Sequence, residues 1–314
     1  MPPSPPPAAR RRRPSITETL TTAASTIESK ASAALTLLWD DLPQWRRDNA
    51  YILSGYRHTS NSYLTSFASV LHLHNESVNI WTHLLGAVGF SAAGLVLYRA
   101  AAARYQSATD ADCLVFACFF AGAFLCLGMS ATYHTLTNHS PAVAKWGNKL
   151  DYTGIVLLIV GSYVPAMYYG LFCHPDLMTC GLSMIALLGL GCLTVSWLDT
   201  FRTPAWRPYR ALMFVGLGLS GVVPILYMLA TDSTYSELNE RMGLNWVILQ
   251  GAMYIFGAFL YAARWPERRW PGAFDIWGSS HQIFHVFVVL AAASHLIGMI
   301  KAFDFHHTGL GSQC

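Results

Sequence analysis

The segment HQIFHVFVVLAAASHLIGMI, residues 281–300, is an apolar run that begins with two histidines four residues apart. Six similar runs precede it, at about 80–98, 112–133, 152–172, 177–198, 211–230 and 245–263. A helix of about 20 residues rises ~30 Å, which matches the hydrocarbon core of a bilayer. Strands that cross a bilayer need only about 9–11 residues of alternating polarity, and these runs do not alternate. The sequence therefore predicts an all-α membrane protein, a bundle of seven transmembrane helices (spans 1–7).

The composition of the chain supports a membrane location. Of its 314 residues, 53% are hydrophobic and 12% are charged, whereas a soluble domain has a charged fraction of about 25%. We therefore predict a multi-pass integral membrane protein of the plasma membrane or an endomembrane. We expect membrane lipids as its partners and no nucleic acid; the residues do not predict an oligomeric state.

Lysine and arginine are distributed unequally between the two sides of the bundle. The loops after spans 2, 4 and 6 hold eight of these residues, and the loops on the other side hold three. The segment before span 1 lies on the same side as the eight, and it contains four further arginines, Arg10 to Arg13. Because cytosolic loops are enriched in lysine and arginine, we predict a cytosolic N-terminus and an external C-terminus.

The chain outside the bundle divides into three parts. Residues 1–14 are rich in proline and arginine and are predicted to be a disordered tail. Residues 15–79 are predicted to form a cytosolic amphipathic helical segment. Its first helix would start at Ser15 and end near Asp40, although a Ser/Thr/Ala-rich linker is an equal alternative for residues 15–30, and a second would cover Tyr63 to Leu73. The bundle then occupies 80–303, and 304–314 form a short external tail.

Four ionisable side chains from three spans are predicted to lie at one depth. His281 and His285 share a face at the start of span 7, since residues four apart are neighbours on a helix. His134 ends span 2 and Asp151 begins span 3, which places both at the same end of the bundle. Charged groups in spans normally face the bundle interior. Histidines at a span end can also simply hydrogen-bond water or headgroups, but the shared depth favours a metal centre.

Three histidines and a carboxylate suit zinc. A catalytic zinc site keeps three protein ligands and an open position for a water that the metal acidifies. Asp151 would then be a general base beside that water or a fourth ligand. Ser130, four residues before His134, would bond the water, a histidine or a substrate carbonyl.

Several glycines, a proline and the remaining histidines near or within the spans are predicted to have structural roles. The glycines from Gly216 to Gly221 match GxGxxG but lie inside span 5, where close helix packing is the better explanation. Pro224 is expected to kink that span. His295 lies too far along span 7 to be a ligand, and His72, His74 and His83 are expected to form interfacial hydrogen bonds.

Five motifs in order resemble the progestin and adipoQ receptor family, the adiponectin-receptor and hemolysin III group, whose fungal members include osmotin-receptor-like and zinc-homeostasis proteins. They are DNAYILSGYR (48–57), HNESVNIWTHLLG (74–86), SATYH (130–134), LDYTGI (150–155) and HQIFH (281–285). The resemblance covers about residues 40–303. It implies a zinc ion (Zn2+) near the inner leaflet, with His134, His281 and His285 as ligands and with Asp151 and Ser130 around the bound water.

The resemblance also implies an activity, because the family is similar to alkaline ceramidases and some members are credited with ceramide hydrolysis. A ligand-responsive receptor whose output is hydrolysis of a lipid amide is the first interpretation, with an external ligand that the sequence does not identify. A non-enzymatic receptor with a structural zinc is the second. A zinc-homeostasis or transport protein is the third, although no chain of polar residues crosses the outer halves of the spans.

Overall fold

A computed structural model describes residues 36–231 and 233–308 of the chain. Within these residues, seven helical segments are long and apolar enough to cross a membrane. Spans 1 to 4 are the helices Ser77–Arg104, Asp110–Leu136, Pro141–Gly170 and Pro175–Ser196. Span 5 consists of Arg207–Leu219 and Val222–Thr231, span 6 is Leu244–Ala263, and span 7 is Ser280–Thr308. The predicted seven-helix bundle is confirmed.

The remaining elements are short. The strands Thr36–Leu37 and Tyr56–Arg57 form an antiparallel pair. The 3-10 helices are Trp39–Asp41, Gln44–Arg46, Ser69–Leu71, Thr200–Arg202 and Pro204–Trp206, and two short α-helices cover Tyr63–Ala68 and Tyr235–Met242.

The segment before span 1 differs in part from the predicted helical one. Residues 1–35, which hold the predicted tail and most of the first amphipathic helix, lie outside the described residues, as do residues 309–314. The described end of that helix, Thr36–Leu37, is extended and paired with Tyr56–Arg57. The second predicted helix is present as Tyr63–Ala68 followed by a 3-10 turn.

Polar contacts attach this segment to the ends of the later spans. Asp48 pairs with Arg207 at the start of span 5 and lies 3.8 Å from the guanidinium of Arg264. The carboxylate of Asp275, before span 7, accepts hydrogen bonds from the Leu53 amide at 2.8 Å and the Ser54 hydroxyl at 2.7 Å. The segment thus lies across one end of the bundle, called the site end below.

Spans 2 and 3 are in backbone contact. A Cβ atom added at Gly154 would lie 2.7 Å from the Cα of Cys126, and one at Gly122 would lie 2.7 Å from the carbonyl oxygen of Leu157. Lipid gives helices no hydrophobic drive to associate, so small residues that permit close approach matter more than in water. This contact sets the spacing between the helices that carry His134 and Asp151.

Span 5 is interrupted at Ser220 and Gly221, before Pro224. The Tyr163 hydroxyl donates to the Gly218 carbonyl at 2.7 Å and lies 3.1 Å from the Ser220 hydroxyl oxygen, which provides partners for polar groups at the break. A Cβ at Gly221 would collide with Tyr163, whereas Gly216 and Gly218 have open space beside them. Close packing therefore explains only the last glycine of the GxGxxG pattern. The break at Ser220 and Gly221 lies one turn before Pro224, where a proline removes the hydrogen bond to the carbonyl four residues earlier, so the kink predicted from Pro224 is present.

Candidate metal centre

His134, His281 and His285 converge at the site end of the bundle. One ring nitrogen from each lies within 4.8 Å of the other two, and the ring centroids are 4.8 to 5.0 Å apart. His134 and His285 are buried and His281 is partly buried. The three residues that the sequence placed together from two distant parts of the chain are therefore neighbours in space.

Two of these imidazoles are fixed through their Nδ1 atoms. His134 Nδ1 lies 2.7 Å from a carboxylate oxygen of Glu76, and His285 Nδ1 lies 3.1 Å from the backbone carbonyl of Asn79. Both acceptors require Nδ1 to carry the proton, so Nε2 is left as the free lone pair on each ring. The tautomer suits a metal ligand.

The donor set fits a zinc ion. The Nε2 atom of His134 is buried and has no hydrogen-bond partner within the described part of the chain, an arrangement that costs free energy unless a ligand completes it. Three neutral imidazoles with one open position form a common catalytic zinc site. His134, His281 and His285 are thus the residues that would hold the metal.

Asp151 and Ser130 are the other two residues that the sequence analysis assigned to the site. Both are buried, at 8% and 2% exposure, and both line the same cavity as His281 and His285. The Ser130 hydroxyl lies within reach of the Asp151 carboxylate. A carboxylate and a hydroxyl therefore line the space next to the candidate metal position.

The cavity has a volume of about 220 Å³ and extends from these residues between spans 3, 5, 6 and 7. Most of its wall is apolar, and examples are Ile155, Phe214, Ile225, Val247 and Val288. His295, which was not expected to be a ligand, also lines this cavity but is not one of the three converging histidines.

The backbone at the ends of the ligand-bearing helices is held by charged side chains. The buried carboxylate of Glu267 accepts the Ser280 amide at 2.8 Å, at the start of span 7 and next to His281. The buried guanidinium of Arg57 donates to the carbonyls of His134 and Thr135, at 2.6 and 2.9 Å, at the end of span 2. Each charge lies at the helix end whose dipole it complements.

Three residues of this site were missed or misassigned from the sequence. Glu76 and Asn79 were not singled out, and His83 was expected at the interface. That expectation for His83 is wrong, since its ring is 3% exposed and stacks on His285 with centroids 3.7 Å apart. His74 is buried as well. The spacing 76, 79 and 83 is a signal that was available, because these positions share one helix face.

Glu76 lies just before span 1, and its environment favours the carboxylate. Burial alone would raise its pKa, but the neighbouring His134 imidazole and the hydrogen bond from Asn79 outweigh burial and lower it. The amide of Asn79 donates to the same carboxylate at 2.7 Å. An anion therefore lies directly behind one of the candidate ligands.

Comparison with known proteins places this architecture in one family. The profile of the Haemolysin-III related family matches residues 71–296. The chain is 45% identical over 269 residues to "ADIPOR-like receptor IZH2" of Saccharomyces cerevisiae, with 86% of this chain and 84% of the relative covered.

Two animal proteins are similar as well. The chain is 44% identical to the Drosophila melanogaster "Adiponectin receptor protein", over 83% of this chain and 58% of the relative. It is 42% identical to "Progestin and adipoQ receptor-like protein 1" of Caenorhabditis elegans, over 88% of this chain and 62% of the relative. The chain thus spans about three fifths of these two relatives. It belongs to the haemolysin-III related family and is an adiponectin-receptor-like, multi-pass integral membrane protein.

Proposed function

We propose that this protein is a zinc-dependent hydrolase of a lipid amide, with ceramide as the substrate class, and that this activity is the output of a receptor. The observation that carries the proposal is the juxtaposition of the three histidines, Asp151 and Ser130 at one end of an apolar cavity inside the bundle. A site that only stabilised the helices would need neither a buried carboxylate nor a hydroxyl beside it.

The proposed chemistry divides the work between the metal and the side chains. A bound zinc ion supplies acidification of water and polarisation of a carbonyl oxygen. Asp151 accepts the proton of the attacking water and delivers it to the departing amine. Ser130 donates a hydrogen bond to the substrate carbonyl oxygen, where negative charge develops. Glu76 and the Asn79 carbonyl keep the histidines in the ligating tautomer.

The wall of the cavity supports the substrate class. A ligand that occupies it buries its surface against aliphatic and aromatic side chains of the spans, which suits an acyl chain. Two of the three histidines, Asp151 and Ser130 supply polar groups to the cavity, so a substrate with one polar linkage and a long apolar chain matches both kinds of wall. A lipid amide has this composition.

A second candidate is a receptor in which zinc only joins spans 2 and 7. The names of the relatives, which include "receptor", favour it. The two candidates differ in whether Asp151 and Ser130 act on a substrate. Zinc homeostasis remains a third candidate, and no residue of the described part of the chain favours it specifically.

Purified protein incubated with a defined ceramide tests the proposal. We expect release of free fatty acid and sphingoid base in equal amounts, and loss of this release in His285→Ala. Mass spectrometry of both products in the same sample shows whether the amide bond of ceramide was cleaved. Wild-type protein that holds zinc and releases neither product from any ceramide would support the non-enzymatic receptor instead.

The orientation is also a proposal, based on the loop charges. We expect an N-terminal tag to be protected from protease added outside intact cells and a C-terminal tag to be cleaved. Permeabilised cells, in which both tags are accessible, provide the control. Cleavage of the N-terminal tag from outside would reverse the assignment of the histidines to the cytosolic end.

A further inference from the structure

Span 1 contributes no candidate zinc ligand, yet its start touches two of them. Glu76 precedes the helix, Asn79 lies in its first turn and His83 lies one turn further. The three side chains share one helix face, because they are separated by three and four residues. Glu76 contacts His134 of span 2, whereas Asn79 and His83 contact His285 of span 7.

The contact with His134 is a short hydrogen bond to a charged acceptor. The distance of 2.7 Å between Glu76 Oε2 and His134 Nδ1 is typical of such bonds. The Asn79 amide donates to the same oxygen and so fixes the carboxylate in turn. The His134 ring can therefore rotate away from the other histidines only if this bond breaks.

The contact with His285 has two parts. The Asn79 carbonyl accepts from Nδ1 and sets the tautomer, and the His83 ring lies parallel to His285, with an angle of 9° between the planes. Both nitrogens of His83 are buried, and neither makes a hydrogen bond of normal geometry to any residue that the structure describes. Since His83 is not among the three converging histidines, its contact with the site is through its face.

We propose that the start of span 1 is the positioning element of the metal centre. Glu76 is the positioning residue for His134, and His83 is the positioning residue for His285. This inference rests on the proposed zinc site. A carboxylate behind a ligating imidazole fixes its orientation and raises its basicity, and losing such a partner typically costs about 10–100-fold in metal affinity.

Glu76 is tested by a graded pair of substitutions. Glu76→Gln keeps an oxygen acceptor for Nδ1 but removes the charge, and Glu76→Ala removes both. We expect the Kd for zinc, measured by competition with a chelator, to rise about tenfold in the first and about 100-fold in the second. Glu237→Gln, at an exposed position in the first turn of the short helix Tyr235–Met242, makes the same charge change far from the centre and should leave the Kd unchanged.

Two further readouts separate positioning from general stability. The metal-free variants should melt close to the metal-free wild type, so the loss should occur mainly in the stabilisation that zinc adds. The absorption spectrum of the cobalt-substituted protein should also change in Glu76→Ala, because it reports ligand geometry. Equal losses of melting temperature with and without metal, together with an unchanged Kd, would overturn the inference.

His83 is tested by a pair that keeps or removes the ring. His83→Phe retains the stacked face and should keep zinc affinity within about threefold, whereas His83→Leu should weaken it by about tenfold. Equal affinity in both variants and the wild type would contradict the positioning role. Complete loss of zinc in His83→Phe would also contradict the positioning role, because it would show that His83 itself is a zinc ligand. Wild-type protein that binds no zinc at all would remove the proposed site itself and this inference with it.

Discussion

Asp151→Asn is expected to retain one zinc ion per chain while its hydrolysis of ceramide falls by about 10²–10⁴-fold, the range for a lost general base. The zinc is expected to stay because three imidazoles already complete the protein share of a catalytic zinc site. The activity is expected to fall because an amide cannot take up the proton of the attacking water as a carboxylate does. Asparagine also preserves the volume of this buried position on span 3.

Both quantities are best measured on one preparation, with zinc by elemental analysis and hydrolysis by release of fatty acid. Asp176→Asn is a matched control, since Asp176 is exposed at the opposite end of the bundle, in the first turn of span 4. Its zinc content and activity should equal those of the wild type. If zinc and activity fall together in Asp151→Asn, Asp151 is a fourth ligand and the site is structural.

Replacement of any one of the three histidines is the change with the largest expected effect on metal content. In His134→Ala, bound zinc should fall close to zero after dialysis against a weak chelator, and hydrolysis should be lost with it. The protein should also lose the stability that zinc binding confers, which is about 4 kcal/mol when free zinc is roughly 1,000 times Kd. The reason is that these ligands link spans 2 and 7, which lipid does not drive together.

The measurement is zinc content with thermal unfolding in detergent, for His134→Ala, His281→Ala and His285→Ala. His72→Ala is the control, because His72 is exposed just before span 1. The metal-free wild type should melt near the three variants. If His134→Ala retained a full complement of zinc, the metal would be bound elsewhere.

Much of the bundle could be predicted because bilayer thickness constrains each span. Every span helix overlaps an apolar run, and the helices extend beyond the runs where polar ends continue the hydrogen-bond ladder, as in Ser77–Arg104. The break in span 5 was predictable from Pro224, because a proline cannot donate the hydrogen bond to the carbonyl of Ser220 four residues earlier. The hydrogen bond from the Tyr163 hydroxyl of another helix to the Gly218 carbonyl beside the break was not predictable.

The histidines were predictable because depth in the membrane can be counted along each helix. The residues that contact them were not predictable, since Glu76 and His83 lie across helix interfaces, and a single sequence does not determine how each helix is rotated there. His83 illustrates this limit, because a histidine near a span end can face headgroups or the interior. The extended pair Thr36–Leu37 and Tyr56–Arg57 depends likewise on contacts between residues that are 19 and 21 positions apart in the chain.

The most direct test of zinc-dependent hydrolysis is to strip the purified wild-type protein of metal and titrate zinc back while ceramide hydrolysis is recorded. The proposed function predicts that the metal-free protein is inactive and that activity rises in proportion to bound zinc until one ion per chain is reached. Added zinc should not restore His285→Ala. Hydrolysis that persists without metal, or a protein that takes up one zinc per chain and remains inactive on ceramide, would contradict it.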